Sequence, residues 1–514
     1  MGRTEATLKN FIWSIVSTVV SLLLNFVART ILVKTLGNQY VGVNGLFSNI
    51  LGFLSLAELG IGTAIGFNLY KPLAENDTKK IQAYINFYRK AYRIIAAVVC
   101  LVGLALIPFL PVIVKGGEGI EHLTVIYLIF IFNSVSSYLI TYKSTIVSAD
   151  QKNYKITNIN TVVNFITIFF QILVLLFLKN FIIYLLVYAV ICLIRNIYVN
   201  NYYTIKHYPY LKEKNDERLT KEEKKTIFTK IRALMYHKIG EVVIYQTDSI
   251  IISSMINVTT FGFVSNYLMV INVIRNLINL FFSSIPASYG NLIATGNKEN
   301  LLKTFKRFNF IGFWASSFSC TALYFLLTPF VRIWLGDKHV IPDEIVLILV
   351  VNFYMTVMRI APHIVRAAAG AYEQDKFSPI IEAVINLVVS IALTYKIGLL
   401  GVYIGTFVSA FVPSIWRPIV AYKYVLNERV IGYFKDYAVY TFITILNSAI
   451  VYFITRYITF GNKYLYFAFL VMLCVSIPNI IIVLIFYRTD EFKFLIGFIR
   501  STLKKYILRG KKNG

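Results

Sequence analysis

Apolar residues run along this chain in blocks of about twenty or more, separated by short polar breaks. A helix needs about 20 residues to cross the hydrocarbon of a bilayer, so blocks of this length predict membrane spans. They fall at 10–33, 41–70, 88–114, 123–147, 156–178 and 181–204 and, after a charged stretch, at 228–256, 261–289, 302–331, 344–369, 379–396, 400–422, 434–457 and 464–487. The expectation is an all-α polytopic membrane protein with fourteen transmembrane helices, which puts both ends of the chain on one side. Asn10 to Val33 is too long for a signal-peptide core and lacks a small-residue cleavage site, so it counts as the first span.

Composition agrees with lipid as the solvent. Of 514 residues 57% are hydrophobic and 15% charged, against about 45–50% and about 25% in a soluble domain. Disorder, collagen, coiled coil and a soluble enzyme with one anchor are excluded. Cys100, Cys192, Cys320 and Cys474 are scattered singly through apolar runs and spell neither a disulfide framework nor a zinc site.

The net charge of +26 would suggest nucleic acid in a soluble protein; here topology accounts for it. The termini and the loops on their side hold 37 of the 51 basic residues, and the opposite loops hold eight. Basic residues gather on the cytoplasmic side, so both termini are expected there, with no nucleic-acid partner. The outward loops are short, the longest running from Arg332 to Asp343. There is no Asp-x-Asp, P-loop or His-Glu-x-x-His motif, so no enzyme and no catalytic residues are expected.

The chain also resembles itself. A shift of 220 lays Leu36-Gly37-Asn38-Gln39-Tyr40-Val41-Gly42 over Ile256-Asn257-Val258-Thr259-Thr260-Phe261-Gly262, and a shift of 223 lays Gln151-Lys152-Asn153-Tyr154 over Gln374-Asp375-Lys376-Phe377. The expected organisation is a six-span lobe at 1–204, a charged linker at 205–227, a second six-span lobe at 228–422, an extra span pair within 423–487 and a basic tail at 488–514. Repeated halves with a site at their interface are a common plan of alternating-access transporters.

Polar residues recur within spans at helical spacing, so each set shares a face. Span 1 has Ser14, Thr18, Ser21, Asn25 and Arg29; span 2 has Asn44, Ser48, Ser55 and Glu58. Span 7 has Lys238, Glu241, Tyr245 and Asp248, with His237 alongside; span 8 has Asn272, Arg275, Asn276, Asn279 and Ser283. A second group is Asn160, Asn164 and Gln171 on span 5, Asn352, Thr356, Arg359, His363 and Arg366 on span 10, and Glu382, Asn386 and Ser390 on span 11. Isolated Ser and Thr read as interhelical glue. An ionisable group at mid-bilayer costs at least about 2.5–3.5 kcal/mol, so Arg29, Glu58, Glu241, Asp248, Arg275 and Arg359 are expected to line a cavity. Glu382 and Arg366 stand near helix ends, where snorkelling fits as well as function.

Guanidinium groups among amides suit a diphosphate with sugar hydroxyls. The expected substrate ligands are Arg29, Arg275, Arg359, Asn25, Asn272, Asn276 and Asn279, with Arg29 and Arg275 clamping one diphosphate from opposite halves. Asp248, Glu241, Glu58 and Lys238 are the expected coupling and gating groups, for H+ or Na+; no cofactor or metal site is expected. Pro362, Pro413 and Pro418 predict bends in spans 10 and 12, either static or used in gating.

Several motifs in order resemble one family over essentially the whole chain. They are Leu36-Gly37 with Tyr40-Val41-Gly42, Leu56-Ala57-Glu58-Leu59-Gly60-Ile61-Gly62, Leu69-Tyr70-Lys71-Pro72-Leu73, Thr247-Asp248-Ser249-Ile250-Ile251-Ile252-Ser253, Gly290-Asn291, Arg366-Ala367-Ala368-Ala369-Gly370 and Gly398-Leu399-Leu400-Gly401-Val402-Tyr403-Ile404-Gly405-Thr406. The chain resembles the Wzx-like branch of the multidrug/oligosaccharidyl-lipid/polysaccharide exporter superfamily. The resemblance implies two six-helix lobes around a central cavity plus a terminal pair, in the bacterial cytoplasmic membrane. It implies flipping of undecaprenyl-diphosphate-linked oligosaccharide repeat units for capsule or exopolysaccharide assembly, driven by an ion gradient. It implies membrane lipids, a polysaccharide polymerase and chain-length proteins as partners of a monomer, and places the family's span-7 Asp and span-1 Arg on Asp248 and Arg29. The alternatives are a lipid II-type peptidoglycan-precursor flippase, a drug/cation antiporter, and a membrane polymerase or ligase.

Overall fold

Every apolar block is helical in the computed structural model, which describes residues 3–58, 61–213, 217–283, 285–295, 298–458, 460–497 and 499–500. The main helices are α1 (Arg3–Leu36), α2 (Asn38–Leu54), α3 (Ile61–Ala74), α4 (Thr78–Ala105), α5 (Leu123–Ile140), α6 (Asn153–Phe177), α7 (Phe181–Ile197), α8 (Lys221–Ile251) and α9 (Val258–Phe282). They continue as α10 (Lys298–Leu335), α11 (Asp343–Met358), α12 (Ile360–Ala368), α13 (Ser378–Ile397), α14 (Leu399–Val420), α15 (Ile431–Tyr457) and α16 (Lys463–Phe486). Among the described residues thirteen helical segments are long and apolar enough to span a bilayer. The segment predicted as the first span lies on α1, which is not one of the thirteen. The protein is a multi-pass membrane protein, and there is no strand among the described residues.

Polar residues at the breaks set the helix ends. Asp77 accepts the Lys80 amide at the start of α4 and Asn180 the Ile183 amide at the start of α7. Thr220 and Glu223 form a reciprocal capping box on α8. Two predicted single spans are broken. The 344–369 block divides at Arg359, between α11 and α12. Pro362 follows three residues later, and its ring clashes with the carbonyl four residues back, that of Met358. The 41–70 block divides at a 3₁₀ turn, Ser55–Glu58. Pro413 and Pro418 lie inside α14, which continues through both.

The chain divides into two compact units, Met1–Ser265 and Asn266–Gly514, with the boundary inside α9. This differs from the expected lobe edges at 204 and 228, because α8 packs on α2 and α3 of the first unit. In that unit the 220-residue repeat appears as a reciprocal contact. A Cβ on Gly42 would overlap the carbonyl oxygen of Val258, and one on Gly262 would overlap that of Asn38. Each glycine therefore admits the backbone that is its own repeat's counterpart, since 38 and 42 map onto 258 and 262.

In the second unit α13 and α14 approach as closely. A Cβ on Gly401 or Gly405 would strike the Leu393 or Ser390 backbone. The terminal pair is fixed to α10 by side-chain bonds: Asn447 Nδ2 to Ser317 Oγ at 3.0 Å and Trp314 Nε1 to Asn479 Oδ1 at 2.7 Å. Such polar links inside a bilayer are worth about 0.6 kcal/mol each on average. Large apolar side chains such as Leu101, Phe177, Phe442 and Leu484 point outward, as contact with lipid requires.

Candidate functional site

In the first unit, α1 brings Asn25 and Arg29 to one face, four residues apart. Asn25 is exposed and its amide donates to the Ser21 carbonyl. Arg29 is half-buried; its Nη2 donates to Ser265 Oγ at 3.2 Å, and its buried Nη1 has no hydrogen-bond partner among the described residues. Glu58 ends the 3₁₀ turn and accepts the Tyr92 hydroxyl at 2.6 Å. Arg29 and Glu58 are thus held by neutral hydroxyls and do not pair with each other.

Lys238 and Asp248 lie half-buried on α8, where the helix runs into a π-helical turn at Ile252–Ile256. The side chains of Glu241, Tyr245 and His237 lie outside the described residues. On the part of α9 in the second unit, Asn272, Arg275, Asn276 and Asn279 follow helical spacing; the three amides are exposed and Arg275 is half-buried.

The second unit holds a charge cluster that sequence spacing gave no reason to assemble. Arg359 Nη1 donates to Glu382 at 2.9 Å, so the arginine expected to reach a head group is here committed to a carboxylate of α13. Arg366 pairs with Asp375, and both are almost wholly buried, at 2% and 0% side-chain exposure. Arg417 of α14 adds a contact to the same carboxylate at 3.6 Å. His363 meets Arg366 at 3.2 Å. Burial of Arg366 and Glu382 removes snorkelling as their explanation. The sequence pattern does not single out Arg417, and Asp375 enters it only within a repeat match; the available signal is an arginine within span 12, one residue before Pro418. Asn386 of α13 donates to Thr406 of α14, and Asn352 to the Tyr403 carbonyl, so these two amides act as interhelical links.

Beside this cluster lies a cavity of about 690 Å³ between α10, α11, α14 and α15. Its walls are apolar, with Phe325, Val351, Met355, Phe407 and Tyr452 among them. Tyr437 lines it and lies within electrostatic reach of Arg359. The second unit therefore offers an apolar recess beside a buried charge cluster whose Arg359 is neutralised by Glu382. Among the described residues no three His, Cys, Asp or Glu side chains gather as a metal site.

Comparison with known proteins extends this picture. The family model described as polysaccharide biosynthesis protein matches residues 7–289, more than half of the chain. No curated protein matches by sequence. Among solved structures, the lipid II flippase MurJ in an inward closed conformation superposes with a TM-score of 0.65 at 16% identity, covering 93% of this chain and 99% of that one. An inward-facing multidrug resistance MATE family transporter of the MOP superfamily gives 0.61 at 14% identity, covering 79% and 95%. A point mutant of the Vibrio cholerae MATE transporter VcmN gives 0.52 at 12% identity, covering 81% and 99%. The fold is that of MOP-superfamily transporters.

Proposed function

The chain belongs to the polysaccharide biosynthesis protein family, and from that premise we propose that it flips undecaprenyl-diphosphate-linked oligosaccharide repeat units across the bacterial cytoplasmic membrane. The observation that carries this reading is Arg29: a guanidinium on α1, held only by a neutral hydroxyl and with one buried nitrogen unpartnered among the described residues. A permanent cation in that position is matched to an anionic ligand, because leaving it uncompensated in lipid is costly. In this reading Arg29 and Asn25 of the first unit, and Arg275, Asn272, Asn276 and Asn279 of the second, are substrate ligands, the guanidinium groups for phosphate and the amides for sugar hydroxyls. The apolar recess of the second unit suits an isoprenoid chain. Asp248, Glu241, Glu58 and Lys238 serve coupling and gating, with H+ or Na+ as the driving ion. The products feed capsule or exopolysaccharide assembly by a polymerase and chain-length proteins, and the unit of function is a monomer.

A second reading is favoured by the superposition on a lipid II flippase over nearly the whole chain: the cargo would be a peptidoglycan precursor. Native mass spectrometry of the purified protein with its co-purifying lipid separates the two. The expected mass is a polyprenyl diphosphate bearing an oligosaccharide without peptide. A pentapeptide-bearing disaccharide refutes the first reading in favour of the second, and an organic cation refutes both.

A further inference from the structure

On α4 the large apolar side chains that point outward begin at Ile94, 66% exposed, and continue with Val98, Leu101 and Val102. Before Ile94 the exposed side chains of this helix are Thr78, Lys79, Lys90 and Arg93. Hydrocarbon therefore meets the helix at Ile94, and Lys90, one turn earlier, stands at the level of lipid head groups. The fold brings two more cations there from far along the chain. Lys80 pairs with Glu223 at 2.6 Å and with Glu217 at 3.7 Å, and the Gln82 amide donates to the Tyr210 carbonyl. These links tie the segment before α8 to the start of α4, and Arg218 and Lys224 arrive with it. Between the two elements lies a cavity of about 470 Å³ lined by Lys90, Arg218 and Lys224. Its inner wall is apolar and buried, formed by Ala83, Ile95, Leu219 and Ile231. Ile94 and Phe228 line it while remaining exposed, and the Phe228 ring meets Phe87 edge to face at 6.4 Å. Glu217 is the carboxylate among the lining residues, and Lys80 already engages it. No ion pair of Lys90, Arg218 or Lys224 occurs among the described residues.

We propose that this recess is a binding site for one anionic phospholipid of the surrounding bilayer. Lys90, Arg218 and Lys224 meet its phosphate, and an acyl chain enters along Ile94 and Phe228 against the apolar wall. Three like charges around one recess repel each other, and a phosphate relieves that repulsion while accepting charge-assisted bonds from ammonium and guanidinium. Basic pockets between membrane helices take anionic head groups for this reason. The apolar wall, continuous with the lipid-facing side of α4, favours a lipid over a soluble phosphate. A zwitterionic lipid gains less, because its head-group cation finds only Glu217, which is already engaged by Lys80. The donors come from α4 and from the start of α8, so the bound lipid joins two elements of the first unit that lie more than a hundred residues apart in the chain. The site does not depend on what the protein transports.

Native mass spectrometry of the purified full-length protein in neutral detergent, titrated with phosphatidylglycerol or phosphatidylcholine, tests the site. Phosphatidylglycerol should fill one site that phosphatidylcholine leaves empty. A basic residue at an anionic membrane surface is worth about fivefold in affinity, so Lys90→Gln with Lys224→Gln should weaken phosphatidylglycerol about 25-fold. Lys90→Arg with Lys224→Arg keeps both charges and should stay within about twofold of wild type, which separates loss of charge from loss of fold. Lys155→Gln, which removes an exposed lysine that does not line the recess, should leave binding unchanged. Glycerol phosphate, a head group without chains, should not compete. Equal filling by phosphatidylcholine, an arginine pair as weak as the glutamine pair, or equal weakening by Lys155→Gln overturns the site, and so does competition by glycerol phosphate at equal concentration. Stronger filling by undecaprenyl diphosphate than by phosphatidylglycerol, lost in the same glutamine pair, overturns the phospholipid as occupant and gives the recess to the cargo lipid.

Discussion

Asp375 is the residue whose loss should cost this fold most for the smallest change in shape. It faces two arginines, Arg366 and Arg417, and is fully buried, while Arg366 is 2% exposed. Asp375→Asn keeps the volume and removes the charge, leaving Arg366 and Arg417 with no carboxylate of their own beside the Arg359–Glu382 pair. Breaking a buried ion pair from one side costs about 3–5 kcal/mol, because the orphaned charge stays buried. Arg366→Met should cost less, about 1–3 kcal/mol, since Asp375 keeps Arg417 as a partner at 3.6 Å. The double change Asp375→Asn with Arg366→Met should recover only part of the loss, because it removes the orphaned Arg366 charge but leaves Arg417 buried without its carboxylate. Unfolding of the purified protein in mild detergent titrated with sodium dodecyl sulfate measures each difference. Arg366→Met costing as much as Asp375→Asn, or a double variant no better than Asp375→Asn, would refute the ordering drawn from the geometry.

Five further outcomes follow, four of them from particular contacts. Arg29→Lys should retain partial transport and Arg29→Ala little, since lysine keeps the charge and loses the planar fork. Because Arg29 bonds Ser265 and Glu58 bonds Tyr92, the neutral double change Arg29→Gln with Glu58→Gln should not restore flipping; full rescue would show that the two neutralise each other. Gly262→Ala should lower stability by about 1–3 kcal/mol through overlap with Asn38, whereas Gly66→Ala, with open space around it inside α3, should raise it by about 0.5–1 kcal/mol; the same detergent titration reads both. For Asp150, burial alone would raise the carboxyl, but bonds from Lys152 and Tyr208 hold it below its ordinary value. Its contribution, about 1 kcal/mol or less for so exposed a pair, is therefore present above about pH 4 and fades as pH falls through the lowered value, and Asp150→Asn should flatten that acid limb of a stability–pH curve. Single cysteines replacing Lys115 and Lys338 should react with an impermeant thiol reagent added to intact cells; protection of both would invert the topology.

The spans were legible because lipid imposes a length on every helix that crosses it, and that length is written as an uninterrupted apolar block. The break at Arg359 was legible through Pro362, whose ring dictates the clash. The break at Ser55–Glu58 has no proline and left no comparable mark. Glycine at 42 and 262 was visible as a repeat, but its meaning, two backbones exchanging places at one crossing, needed the fold. Pairing inside the spans was the least legible layer. Arg366 and Asp375 lie nine residues apart across a turn, and Arg417 comes from another helix, so no periodicity joins them. Stripe logic placed Arg359 with Arg29 and Arg275 as one chemical set, whereas the local geometry commits it to Glu382.

Ionisable groups within these helices therefore come in two physical kinds. Arg366, Asp375, Arg359 and Glu382 are bound to opposite charges at low exposure, and a change that leaves one of these charges buried with no second partner costs about 3–5 kcal/mol by the measure of other buried pairs. Arg29 and Glu58 are bound to hydroxyls, and a neutral hydrogen bond is worth only about 0.5–1.5 kcal/mol net. A group of the first kind fixes a packing arrangement and resists exchange of partner. A group of the second kind gives up its hydroxyl readily for an ion, a phosphate or a proton, because each of these supplies the charge compensation that the hydroxyl does not. In the proposed function this difference separates framework from working parts without reference to position along the chain. It implies that conservative changes at Ser265 or Tyr92, which alter only the neutral partner, should tune transport while leaving the folded protein intact, whereas changes at Asp375 should act on folding first.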